Sequence, residues 1–137
     1  MTYLLDTNVL SEWRKVIPDR GVVEWFRGAV VDELFVSVIT IGEIRRGIVK
    51  LQLRNDHRQA AVYESWLRGA KDLFIDRLVP ISLEVAEEWG HGDARRTGSV
   101  ADGLLAATAK VHGWTLVTRN VKDFDATGVR LLNPFTG

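Results

Sequence analysis

Four short apolar runs, each too short for a helix and each followed by a longer stretch with helical patterning, leave this chain few folds. They are Tyr3-Leu4-Leu5, Leu34 to Ile39, Arg77 to Ile81 and Trp114 to Thr118, with Val129 to Leu132 as a shorter fifth. Strands separated by helix-bearing connections cannot pair as tight hairpins, so they lie parallel and need helices over both faces. The pattern predicts the α/β class, an α/β/α sandwich around a mostly parallel sheet of four to five strands. At 137 residues the chain suits one domain, 1–137, able to bury roughly two thirds of its unfolded surface.

The helices read in order. One runs from after Asp6 to about Arg14 and breaks at Val16-Ile17-Pro18, because proline disfavours helix in the residue before it. Asp19 caps a second helix that ends near Gly28. A third starts at Thr40, with Ile44, Ile48 and Leu51 as its apolar face. A fourth covers about His57 to Phe74, and Ser82 caps a fifth with acids in its first turn. A sixth carries Val100 to Ala109 and stops at the C-cap Gly113.

Composition narrows the chemistry. There is no Cys, so disulfides, thiolate metal sites and Cys nucleophiles are excluded. His57, His91 and His112 have no paired spacing, which argues against zinc. Asp6 interrupts the only apolar run at the start and no basic region precedes it, so neither a signal peptide nor a membrane span is expected, and the location predicted is cytoplasmic. Net charge is zero, which leaves only a local basic patch for nucleic acid. Arg45, Arg46, Lys50, Arg54 and Arg58, against the single acid Asp56, supply such a patch or an ordinary solvated helix face.

The acids are the informative residues. Asp6 ends an apolar strand, at the edge where ligand chemistry collects in open parallel sheets, although it also suits the N-cap of the following helix. Glu43 stands three residues after Thr40, and Asp102 three after Ser99, both at capping-box spacing. Asp102 is also the only charge between Ser99 and Ala109, in a helix apolar all round. With Asp123 or Asp125 after the fourth strand, three or four acids gather at one sheet edge. Like charges in a crevice call for a cation, and hard oxygen donors without an EF-hand loop suit Mg²⁺ or Mn²⁺.

Leu4-Leu5-Asp6-Thr7-Asn8-Val9-Leu10-Ser11, Thr40-Ile41-Gly42-Glu43-Ile44-Arg45-Arg46-Gly47, Ala101-Asp102-Gly103-Leu104-Leu105-Ala106-Ala107-Thr108-Ala109 and Val117-Thr118-Arg119-Asn120-Val121-Lys122-Asp123-Phe124 resemble, in order, the successive motifs of PIN-domain ribonucleases. The chain most resembles the VapC toxins of VapBC toxin–antitoxin pairs, including the related FitB type. The resemblance implies a PIN-like sandwich and a metal-dependent endoribonuclease. It makes Asp6, Glu43 and Asp102 the metal ligands, with Asp123 as a further catalytic acid. Thr7, Asn8, Thr118 and Asn120 then line the site. Asn120 stands where many relatives carry Asp, so the fourth acid is displaced to Asp123 or absent. Arg45, Arg46 and Lys50 become contacts for RNA phosphates. The resemblance further implies Mg²⁺ or Mn²⁺, an RNA substrate, a VapB-like antitoxin that blocks the site, and a homodimer.

Two other readings use the same residues. A phosphotransfer domain of receiver or dehalogenase type also has Asp after its first strand, but the second Asp of the latter is Asn8 here and the acidic pair of the former is missing. An inactive PIN-like binding module rests on Asn120 alone. The five Trp residues suit interface anchors or core packing.

Overall fold

The computed structural model describes residues 1–93 and 98–136. Five strands, β1 (Tyr3–Leu5), β2 (Leu34–Ser37), β3 (Leu78–Val79), β4 (Thr115–Val117) and β5 (Leu131–Leu132), form one sheet in the order β3-β2-β1-β4-β5. Every pairing is parallel, with Tyr3 opposite Leu34 on one side of β1 and Leu5 opposite Val117 on the other. The helices among the described residues are α1 (Thr7–Leu10), α2 (Arg20–Gly28), α3 (Val38–Leu53), α4 (His57–Leu73), α5 (Leu83–Asp93), α6 (Val100–His112) and α7 (Val121–Phe124). The predicted α/β class and parallel sheet are what the structure has.

Burial fixes the register of the central strand. Leu4 and Leu5 are both fully buried, yet they enter different cores, because successive side chains of a strand face opposite sides. Leu5 packs with Val9, Val36, Ile44, Ile48 and Leu67, beneath α1, α3 and α4. Leu4 packs with Leu105, Ala106, Ala109, Leu116 and Phe124, beneath α6 and α7. Each Leu contributes about 1.5–3 kcal/mol by leaving water. A one-residue slip would point Leu4 and Leu5 at each other's face, put Tyr3 or Asp6 where a Leu belongs, and forfeit much of that. Most aromatic side chains also pack internally. Trp25 meets Tyr3 edge-on at 5.2 Å and Trp114 stacks on Phe35 at 4.5 Å. Among the described residues Trp13, 44% exposed, is the one large aromatic side chain left well open to solvent.

Several boundaries differ from expectation, each for a local reason. The second strand stops at Ser37, whose hydroxyl accepts the Ile39 N–H at 3.1 Å and caps α3. The β-branched pair Val38-Ile39 therefore begins a helix that strand propensity assigns to the sheet. Thr40 sits inside the first turn, so the Thr40–Glu43 capping box does not exist. The first helix is one α turn followed by a 3-10 turn over Ser11–Arg14. The third strand shrinks to Leu78–Val79 because Ile75–Arg77 form a 3-10 turn. Asp19, Ser82 and Ser99 do cap, accepting N–H groups from Val22, Val85 and Asp102.

Candidate metal centre

In this strand order the connections leaving β1 and β4 diverge to opposite sides, which opens a crevice at the carboxyl ends of those two strands. Asp6 and Thr118 are the first residues past them. The Asp6 N–H donates to the Val117 carbonyl at 2.9 Å, so the two chains remain paired up to the crevice floor. α6 enters β4 through the left-handed Gly113 and a one-residue link, Trp114, so it runs antiparallel to the strand. Its first turn, with Asp102, therefore lies at the same carboxyl edge. α3 starts directly from β2, which brings Glu43 to that edge in its second turn.

Asp6 is 5% exposed and uses both carboxylate oxygens. Oδ1 accepts the Thr7 N–H at 2.7 Å, the capping role expected of a residue before a helix. Oδ2 accepts the Thr118 hydroxyl at 2.7 Å and the Asn8 amide at 3.3 Å. Burial raises the Asp6 pKa above its ordinary value; the Thr118 hydroxyl and the Thr7 N–H oppose the rise, the charge of Glu43 adds to it, and the Asn8 amide opposes it. Three donors thus hold a carboxylate that burial and a neighbouring acid both discourage from ionising.

The other predicted residues fall into two groups. Thr7 joins the acids, because its hydroxyl donates to Glu43 Oε1 at 2.8 Å. Asn8 reaches across to β4, where its Oδ1 accepts the Arg119 N–H at 3.2 Å. The Asn120 N–H donates to the Thr118 hydroxyl oxygen at 3.0 Å. Asp102 is half-buried at the third position of α6. Asp123 and Asp125 are exposed, and among the described residues the Asp6 hydrogen-bond network does not extend to them. Arg45 is held by both terminal guanidinium nitrogens to Glu64 of α4, at 2.6 and 2.7 Å, while Arg46 and Lys50 are exposed on α3. Sequence reading passed over Glu12, a second buried acid that accepts the Asp19 N–H at 2.8 Å and pairs with Lys15 at 3.0 Å. Those partners make it a brace for the loop after α1; the Lys15 pair stands at i,i+3 spacing, whereas no spacing announces the bond from Asp19.

The family model for the PIN domain matches residues 3–129. This chain belongs to the PIN-domain family. Within it the chain stands with the VapC and FitB toxins. It is 32% identical over 138 residues to VapC ribonuclease Y4jK of Sinorhizobium fredii, covering 96% of each chain. It is 34% identical to Toxin FitB of Neisseria gonorrhoeae, covering 96% of this chain and 97% of FitB. The crystal structure of FitAcB from Neisseria gonorrhoeae superposes with a TM-score of 0.85 at 32% identity, covering 97% of this chain and 98% of that one.

In this PIN domain the donors at the crevice are hard oxygens, and Asp6 carries a charge that burial and Glu43 both penalise. That is the donor chemistry of a site for a hard divalent cation. Among the described residues no three acids or histidines are drawn around one point. The arrangement fits a small cation whose shell water and substrate oxygens complete, and does not fit a preformed all-protein cage.

Proposed function

We propose that this PIN-domain chain is a metal-dependent endoribonuclease toxin, with Asp6, Glu43 and Asp102 as the acids that hold Mg²⁺ or Mn²⁺. The observation that carries the reading is Asp6 itself: a buried carboxylate at the switch point, bonded across it to Thr118 and placed beside Glu43. Its kinship with proteins named VapC ribonuclease and Toxin FitB supplies the reaction class. Bound there, the cation would polarise a phosphodiester and ease deprotonation of the attacking water.

The chain's own residues have defined tasks in that reaction. Asp6 and Asp102 bind and orient. Glu43 has one oxygen engaged by the Thr7 hydroxyl, and its other oxygen is the acceptor for the proton of the attacking water. Asn8 and Asn120 fix the crevice walls by bonding to the backbone of β4's end and to Thr118. The fourth acidic position falls to Asp123, less than a turn beyond Asn120 on α7. Arg46 and Lys50 line the approach as phosphate contacts.

The reading extends to a single domain over 1–137, a cytoplasmic location, neutralisation by a VapB-like antitoxin and a homodimer. No helix among the described residues is long and apolar enough to cross a membrane. Val49 and Leu53, exposed one turn apart on α3, are apolar contacts available to a second copy. The deciding experiment is cleavage of a structured RNA by the purified chain with Mn²⁺ and with EDTA. Cleavage with Mn²⁺ that stops in EDTA supports the reading. Cleavage indifferent to EDTA refutes the metal site, and no cleavage under either condition returns the chain to a binding module.

A further inference from the structure

A second concavity lies where the 3-10 turn after α1 meets α4, and none of the predicted metal ligands lines it. Arg14, Lys15 and Val16 form one wall, and Asp56, Arg58 and Tyr63 form the other, around about 370 Å³, the lower end of the range for small-ligand sites. Its charge is not balanced. Lys15 is paired with Glu12 at 3.0 Å, and Asp56 accepts the Gln59 N–H at 3.3 Å as the cap of α4. Arg14 and Arg58, both exposed, have no carboxylate partner among the described residues. Two guanidinium groups against one capping acid favour an anion.

Arg14 is also held in place. Its backbone ends a turn braced by the buried Glu12, which takes the Asp19 N–H at 2.8 Å as well as Lys15. Its guanidinium carbon lies 4.5 Å from the centre of the Tyr63 ring. Tyr63 is itself fixed, because it packs against the core beneath α3 and α4 and its hydroxyl oxygen accepts the Gln59 side-chain amide at 2.9 Å. Val16, 98% exposed, and Val62, 59% exposed, add apolar walls open to solvent. An acidic side chain would use the donors alone. A nucleotide uses both features, a plane and apolar walls for its base and guanidinium donors for its phosphate.

The pocket is also within reach of the crevice. From Asp6 to Arg14 the chain advances by four α-helical and four 3-10 residues, at most about 14 Å, which a strand stacked at about 3.4 Å per nucleotide covers in about four steps.

We propose that this pocket is a nucleotide subsite for the RNA strand, a few nucleotides from the scissile phosphate: a base stacks on the side of the Arg14 guanidinium away from Tyr63, and Arg58 takes a phosphate. The proposal rests on the ribonuclease reading and deepens it with a substrate contact outside the acid crevice. Arg14 and Arg58 touch the RNA; Tyr63 acts through Arg14 as a positioning residue.

The test uses the full chain and two labelled single-stranded RNAs, a trinucleotide too short to span crevice and pocket and a dodecamer that spans both. With Mn²⁺, Arg14→Gln should lower the ratio of kcat/KM for the long over the short RNA about tenfold, mostly through KM, as loss of one stacked base does. Arg14→Lys should lower it severalfold, because charge remains and the plane does not. Tyr63→Leu should act in the same direction, and Tyr63→Phe, which keeps the ring face, should restore the ratio. Thermal unfolding reports whether each variant keeps the fold; should Tyr63→Leu unfold, Arg14→Lys tests the stacked plane in its place. In EDTA, with Glu43→Gln as parent so that RNA is bound and not cut, Arg58→Gln should reduce the salt slope of dodecamer binding by roughly 0.7, one phosphate contact on a single strand. An unchanged ratio in Arg14→Gln together with an unchanged slope in Arg58→Gln overturns the subsite. A reduced slope with an unchanged ratio overturns the stacked base. A glutamate-rich peptide that binds wild type and not Arg14→Gln, with the RNA ratio unchanged, gives the pocket to a protein partner, and a changed oligomeric state in Arg14→Gln gives it to a second copy; either overturns the proposal. A wild-type chain that neither binds nor cuts RNA overturns the ribonuclease reading and this proposal with it, whereas a cutting enzyme indifferent to Arg14 and Arg58 overturns the proposal alone.

Discussion

Replacing Glu43 by Gln should stabilise the metal-free protein. The substitution keeps the oxygen that accepts the Thr7 hydroxyl and touches none of the bonds to Asp6, so what it removes is charge. Asp6 and Glu43 are bridged through Thr7, which puts their carboxylates roughly 6 Å apart, and at an effective dielectric of 20 to 40 the repulsion is about 1.4–2.8 kcal/mol. Glu43 is only half-buried, so water screens it toward the lower end, and the expected gain is about 1 kcal/mol, or about 3–5 °C in Tm for a domain of this size. The pH dependence carries the sign. The Asp6 carboxyl has a folded pKa above its unfolded value, so wild-type stability in EDTA falls as pH climbs from about 3.9 toward the raised folded value, and stays low above it. In Glu43→Gln burial still raises Asp6 but Glu43 does not, and the fall is shallower. Urea unfolding in EDTA should therefore show the two proteins equal near pH 3 and separated at pH 7.5. Excess Mn²⁺ should reverse their order, since wild type at a hundred times its Kd gains about 2.7 kcal/mol and the variant loses most of that. A variant less stable than wild type in EDTA at pH 7.5 would refute the charge argument and leave Glu43 as a hydrogen-bonding brace for Thr7.

Asp6→Asn and Asp102→Asn should each lower Mn²⁺-dependent RNA cleavage roughly a hundredfold or more, as loss of a group acting on the transition-state charge does; near-normal single-turnover rates would remove that residue from the site. Arg46→Ala and Lys50→Ala should each flatten the salt dependence of RNA binding by roughly 0.7, whereas Arg45→Ala should leave the slope unchanged, because its guanidinium is already committed to Glu64. An equal effect of all three would show that the Arg45–Glu64 pair opens for substrate. Gly21→Ala should cost about 1–3 kcal/mol through the contact with the Pro134 carbonyl, read as a Tm drop of several degrees, even though alanine favours helix over glycine at that position.

The parts of this molecule that were legible in the sequence are those whose cause is local. Tyr3-Leu4-Leu5-Asp6 shows strand, burial and strand end within four residues, and Asp19, Ser82 and Ser99 declare their caps at fixed spacing. Val38-Ile39 misled for a local reason too: β-branched residues belong to strands on average, and only the Ser37 hydroxyl, taking the Ile39 N–H, decides that the helix has begun. That one decision mattered for the site, since a helix capped at Thr40 offers Glu43 a capping role that the real helix denies it. Contacts made across the fold left no trace in the pattern. Arg45 reads as one more member of a basic face, and Glu64 as an ordinary charge 19 residues away, until the antiparallel pairing of α3 and α4 joins them. Thr136 reads as a tail residue until β5 delivers it to Asp19, 117 positions earlier.

The crevice also shows why its floor is a hydroxyl and its rim is acidic. Thr118 is fully buried, and a carboxylate there would put a second charge against Asp6 with no water to screen it. A hydroxyl has one proton to give. Here the Asn120 N–H points at the Thr118 oxygen and Asp6 offers only lone pairs, so that proton must point at Asp6. The chain of donors thus has one direction, from the backbone after β4 through Thr118 to the acid, and each link steadies the ionised form that burial opposes. Glu43 and Asp102 are half-buried and nearer water, and Glu43 takes the Thr7 hydroxyl on one oxygen. The parallel pairing of β1 and β4 is what sets this division, because it fixes which residue of each strand is last to be buried and first to meet the crevice.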